Sequence, residues 1–75
     1  MPELPRISGQ DAVKTFEMLG FVVARQKGSH VVLRRGERGC VIPMHKELAI
    51  GTLRSAIKQA GIIVELFVET YSGNL

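Results

Sequence analysis

The sequence predicts a small α+β domain: a helix, three short antiparallel strands and a second helix, with the helices packed on one face of the sheet. Three observations carry this reading. Apolar residues recur at helical spacing in two stretches, each closed by a glycine. Between them lie three runs rich in β-branched residues, each too short for a helix. The connections between those runs are only a few residues long and contain glycine. Such connections join antiparallel neighbours, since parallel strands need a crossover of about a dozen residues or more.

Residues 1–7 read as an extended lead-in, because Pro2 and Pro5 disfavour helix in the residues before them. Ser8 is the N-cap of a first helix over about residues 9–19, and Asp11 is placed to support its first turn through the dipole and a capping-box-like contact. Val13, Phe16 and Leu19, with Ala12, form its apolar stripe, and Gly20 ends it in a left-handed conformation. Phe21–Arg25 and His30–Arg34 are strands joined by a tight turn containing Gly28. A second glycine-bearing turn, Arg35–Gly39, leads into Cys40–Pro43, where Pro43 has no N–H to donate and marks a strand end or an edge. Residues 44–50 read as a partly apolar loop. The second helix starts at Gly51-Thr52, with Thr52 as its cap or in its first turn. Leu53, Ala56, Ile57 and Ala60 face inward, and Gly61 stops it. Ile62-Ile63-Val64 has strand character, yet Ile63, Phe67 and Tyr71 fit a helical stripe, which favours a short closing helix after Val64. Ser72–Leu75 is expected to fray. Two helices on a three-stranded sheet leave its other face open. This is the layout of double-stranded-RNA-binding-type domains, although topology alone assigns no function.

At 75 residues the whole chain reads as a single domain, one that buries only about 60% of its unfolded surface. A hydrophobic content of 45% argues against disorder. Ten Lys+Arg against seven Asp+Glu give a formal net charge of +3. The distribution matters more than the sum: Arg25, Lys27, Arg34, Arg35 and Arg38 crowd together, whereas the last segment carries Glu65 and Glu69 and no base. One positive face would favour an anionic partner such as RNA, DNA or an acidic protein. The lone Cys40 has no internal disulfide partner, which fits a reducing compartment. No apolar run approaches the ~20 residues of a membrane span, and the N-terminus lacks the features of a signal peptide. A cytoplasmic protein that makes no use of a membrane is expected.

The chemistry converges on Gln26-Lys27-Gly28-Ser29-His30. Strand alternation puts Val31 and Leu33 on one face and His30, Val32 and Arg34 on the other, with Arg25 and Lys27 on the neighbouring strand and turn. Metal-free RNA cleavage needs a base for the 2′-hydroxyl, a cation for the developing phosphorane charge and an acid for the leaving 5′-oxygen. Histidine suits the proton step because its unperturbed pKa of about 6.5 leaves both forms populated near neutrality. Taken alone, a histidine beside a turn is more often an ordinary exposed residue. His45 could supply a second proton-transfer group, or its ring could bond to the backbone and hold the loop. Cys40, His30 and His45 match no zinc spacing, and Cys40 reads as a small core residue. At the start of the second helix, backbone N–H groups with Lys46, Arg54 and Lys58 could give an auxiliary phosphate contact, or simply an ordinary cap with solvated bases.

Ser8-Gly9, Leu19-Gly20-Phe21, Arg25-Gln26-Lys27-Gly28-Ser29-His30, Pro43-Met44-His45 and Gly51-Thr52-Leu53-Arg54-Ser55-Ala56-Ile57-Lys58-Gln59-Ala60-Gly61 together resemble the HicA toxin family. The resemblance runs from Ser8 to about Gly61. It implies a double-stranded-RNA-binding-like fold and an mRNA interferase activity without a cofactor or metal, neutralised by a HicB-type antitoxin. The family's catalytic histidine falls on His30, with Gly28 and Ser29 shaping the turn that presents it. Arg25, Lys27, Gly28, Ser29, Arg34, His45, Lys46 and Arg54 then form the expected RNA-binding set, on a chain expected to be monomeric alone. In one departure, apolar Ile62-Ile63-Val64 stands where the family commonly has a serine or threonine cap with acidic residues, which marks an apolar patch for a partner to cover. Two other classes use the same basic face: a non-catalytic RNA-binding module, and a protein-interaction domain with an acidic partner.

Overall fold

A computed structural model describes residues 3–74. The elements follow as α1 (Gly9–Met18), β1 (Val22–Lys27), β2 (His30–Arg35), β3 (Arg38–Pro43), α2 (Ile50–Ala60) and α3 (Val64–Asn74). This is the predicted α-β-β-β-α order followed by the closing helix. The strands form one antiparallel sheet in the order β1-β2-β3.

Helix α1 begins as its sequence dictates. The Asp11 N–H donates to Ser8 Oγ at 3.0 Å, which satisfies one orphan donor and contributes about 1 kcal/mol. The reciprocal half of a capping box is missing, because the short Asp11 carboxylate bonds nothing back to Ser8. The helix stops at Leu19, and Gly20 takes a φ of 96°. Both sheet connections are two-residue turns, tighter than the five-residue Arg35–Gly39 connection expected. Gly28 (φ 59°) and Gly36 (φ 60°) each occupy the first central position, and the second residue has an ordinary φ. That is the type II′ pattern, whose twist matches the flanking strands. Consequently β2 and β3 pair from Arg35↔Arg38 onward.

Helix α2 starts at Ile50, with Ala49 as N-cap and no side-chain cap bond, so Thr52 lies within the first turn rather than capping it. The last element differs most from expectation. Ile63 precedes α3 and is 64% exposed, while Val64, Phe67, Val68 and Tyr71 pack inward at i, i+3, i+4 and i+7. The apolar Ile62-Ile63-Val64 stretch is therefore mostly used in packing, and only Ile63 of the three is fully outward. The helix also continues through Ser72 and Gly73, where fraying was expected. Leu75 lies outside the described residues.

One core lies between the sheet and the helices. Val31, Leu33, Cys40 and Ile42 enter it from the sheet, Val13 and Phe16 from α1, Leu53 and Ile57 from α2, and Phe67 from α3. Phe16 is its hub, edge-on to Phe21 at 5.3 Å and tilted against Phe67 at 5.1 Å. Each such ring contributes about 1.5–3 kcal/mol on burial. Among the described residues, no helix lies on the opposite face of the sheet.

Candidate active site

Paired residues in an antiparallel ladder point to the same face. On the uncovered face the register therefore gives three rows across β1, β2 and β3: Lys27–His30–Pro43, Arg25–Val32–Val41 and Val22–Arg34–Gly39. His30, Arg25, Lys27 and Arg34 are all exposed. Lys27 stands directly across from His30, about 5 Å between Cβ atoms, and Arg25 is its diagonal neighbour at about 7–8 Å. Arg34 is two rows away, about 13 Å along the strand, and its side chain lies across Gly39. These three cations have no ion-pair partner among the described residues, where the pair present is the exposed Arg6–Glu47 contact. Their charge is therefore free to act on an incoming anion. Val32 and Val41 give the face an apolar floor beside the cations, continuous with a shallow groove that reaches Arg34, Glu37 and Gln59.

A break in alternation places Arg25 and Lys27 there. Phe21 belongs in the core and is 2% exposed. Phe21 and Arg25 have the same parity, so a regular strand would turn both to one face. The ladder instead shifts register between Val23 and Arg25, leaving Ala24 without a partner. This β-bulge inserts one residue and inverts the phase, so Phe21 is buried while Arg25 and Lys27 join His30. Bulges re-aim side chains in this way.

The turn that presents His30 is held from below by main-chain groups. The Met44 N–H donates to the Ser29 carbonyl at 2.6 Å, and the Gly9 N–H donates to the His45 carbonyl at 2.9 Å. Leu48 N–H adds a bond to the Ile7 carbonyl at 2.7 Å. The expectation that the His45 ring holds its loop is corrected here: the carbonyl of His45 does so, and the exposed imidazole has no partner among the described residues. Gly9 is a close-approach position that the sequence reading did not single out. Its signal was legible, because glycine in the first turn of a helix costs about 1 kcal/mol relative to alanine and so marks a close approach.

The remaining basic residues divide by role. Arg35, read as part of the positive cluster, turns to the helical side, donates to the Leu19 carbonyl at 2.7 Å and lies 4.9 Å from the centroid of Phe21. Arg38 packs against Gly61 at the C-terminal end of α2, where a cation meets the negative pole of the helix. Both are structural. Lys46 and His45 line a separate hollow with Ser8, Gln10 and Met44. Arg54 is exposed on α2, within the helical layer rather than on the open face. Cys40 is buried, and desolvation pushes its thiol from 9.0 up to about 11. No group of three His, Cys, Asp or Glu side chains that could hold a metal occurs among the described residues, nor is any helix there long and apolar enough to cross a membrane.

The fold and the site define a small α-β-β-β-α domain that displays one histidine among unpaired cations on an uncovered sheet. A search among curated proteins returned no match. The family model for the HicA toxin of bacterial toxin–antitoxin systems matches residues 9–62. The chain belongs to that family, which makes it the toxin component of a toxin–antitoxin module and implies an antitoxin partner.

Proposed function

We propose that this toxin is an endoribonuclease, an mRNA interferase of the cytoplasm that cleaves transcripts without a metal and so arrests translation and growth. The observation that carries the reading is the row Lys27–His30–Pro43 with Arg25 diagonal to it, exposed on a face no helix covers. In the proposed reaction the 2′-oxygen attacks phosphorus and the P–O5′ bond breaks. One proton leaves the 2′-hydroxyl and one reaches the departing 5′-oxygen. His30 carries one of these transfers as base or acid, and solvent completes the other. Lys27 and Arg25 stabilise the charge that builds on the non-bridging oxygens. Arg34 is too distant for the reacting phosphate and holds a neighbouring one. The Gly28-Ser29 turn, together with His45 and Lys46 at the end of β3, extends the contact with the strand, and Arg54 is a peripheral electrostatic contributor. A HicB-type antitoxin is the proposed partner that neutralises the activity.

The test is expression of wild type and His30→Ala, scored for growth and for transcript integrity, with purified proteins incubated with labelled mRNA. His30→Ala is expected to lose cleavage and growth arrest while keeping its fold and its antitoxin. Cleavage should persist in EDTA. A folded His30→Ala protein that still cuts RNA would remove His30 from the chemistry, and loss of cutting in EDTA would point to a metal. Salt-dependent binding of RNA with no scission would instead identify a non-catalytic binding module.

A further inference from the structure

We infer that Gly9 is a positioning residue for His30, acting through a clasp made only of main-chain groups. This inference rests on the nuclease reading above. Three segments far apart in sequence meet beneath the catalytic turn: the start of α1, the exit of β3 and the β1–β2 turn. The Gly9 N–H holds the His45 carbonyl, the Met44 N–H holds the Ser29 carbonyl, and Pro43 pairs with His30 itself. The chain from Gly9 to His30 thus runs through two hydrogen bonds and the backbone of three residues, His45, Met44 and Ser29.

Only glycine permits this packing. A Cβ at position 9 would overlap the Pro43 carbonyl oxygen and approach the Met44 Cα to 2.8 Å and the Pro43 carbonyl carbon to 3.1 Å. All three are backbone atoms, so no side chain can swing aside to make room. Gly9 is buried and its φ is not in the left-handed region, so close approach rather than unusual backbone geometry is the reason for glycine here. The added methyl would push residues 43–44 outward, and they would carry Ser29 and His30 with them. Lys27 is paired with His30 and would move with it, whereas Arg25 and Arg34 stand further along the ladder, across from or beside residues the clasp does not hold. The proton-transfer group would therefore shift relative to Arg25 and Arg34 and the phosphates they hold.

That separation predicts a specific kinetic signature. A displacement of about 1 Å in a catalytic group costs up to roughly 100-fold in rate, while the contacts of Arg25 and Arg34 with phosphate stay in place. Gly9→Ala is expected to lower kcat by roughly 10- to 100-fold and to leave affinity for a non-cleavable 2′-deoxy oligonucleotide within about twofold. The NMR resonances of the His30 ring should move and those of Arg25 and Arg34 should not. Gly73→Ala, at an open position, is the control and should match wild type. If Gly9→Ala does not fold, Met44→Pro removes the bond to Ser29 without touching Gly9, and the same readouts apply. In the wild-type protein, hydrogen exchange should find the Gly9 and Met44 amides protected like those of β2. Rapid exchange at both amides, an unchanged kcat, or a loss confined to KM would each overturn the clasp. Those outcomes leave the nuclease reading standing, because it stands or falls on His30→Ala. If wild type cuts no RNA, the exchange and ring-shift measurements still decide the clasp.

Discussion

His30 and Cys40 show how surroundings decide what a reactive side chain does. Desolvation in the core raises the Cys40 thiol to about 11, so at neutral pH it is a thiol and a poor nucleophile. Because the folded value exceeds the unfolded 9.0, the unfolded chain loses its proton first as pH rises. The stability contribution is thus complete below pH 9 and lost progressively towards pH 11, by roughly 2–3 kcal/mol at most. Urea denaturation should show wild type weakening more steeply than Cys40→Ala across that interval, and alkylating reagents should leave Cys40 unmodified in the native protein at pH 8. At this scale the sequence discloses that His30 is displayed on the open face and that Cys40 is buried, since strand parity and residue type are enough for both. It discloses the cost of Gly9 but not the reason, because the groups Gly9 approaches are backbone atoms from a distant segment.

Among the elements, β1 carries the sharpest test. Deleting Ala24 or Gln26 each turns the bulged ladder into a regular one, with opposite results. Without Ala24, Arg25 stays across from Val32 on the open face. Without Gln26, Ala24 takes that place and Arg25 turns to the helical side. RNA affinity should hold in the first variant and fall in the second by the weight of one charge contact, about tenfold at low salt, as filter binding would measure. The place of both turns, the cap of α1 and the alternation of β2 were readable, because each is set by residues within a turn's reach, although the second turn is tighter than its sequence suggested. The bulge was not. Phe21 and Arg25 share parity but need opposite faces, and that conflict appears only once each has a known destination. The stripe of α3 was misjudged by one residue, since Ile63 and Val64 are equally apolar and only packing against α1 distinguishes them.

At the level of the whole molecule, the net charge understates the field at the site. Five clustered cations divide into three that face outward and two that brace the helical side, Arg35 at the end of α1 and Arg38 at the end of α2. RNA binding should weaken linearly with the logarithm of salt concentration. Removing Arg25, Lys27 or Arg34 should each lower that slope by about one contact, whereas Arg35→Ala should cost stability with little change in slope. Fluorescence anisotropy across a salt series would separate the two groups. The sequence showed the cluster and, through strand parity, set Arg34 on the open face. What it could not show is the work of Arg35 and Arg38, because that depends on which helix terminus each strand end meets.

The three strands find one another through neighbours close along the chain, whereas Phe16 waits for Phe67 from the last helix to cover it. The open face, set by these local pairings, can therefore take shape before the last helix closes the interior, whose full rigidity waits for Phe67.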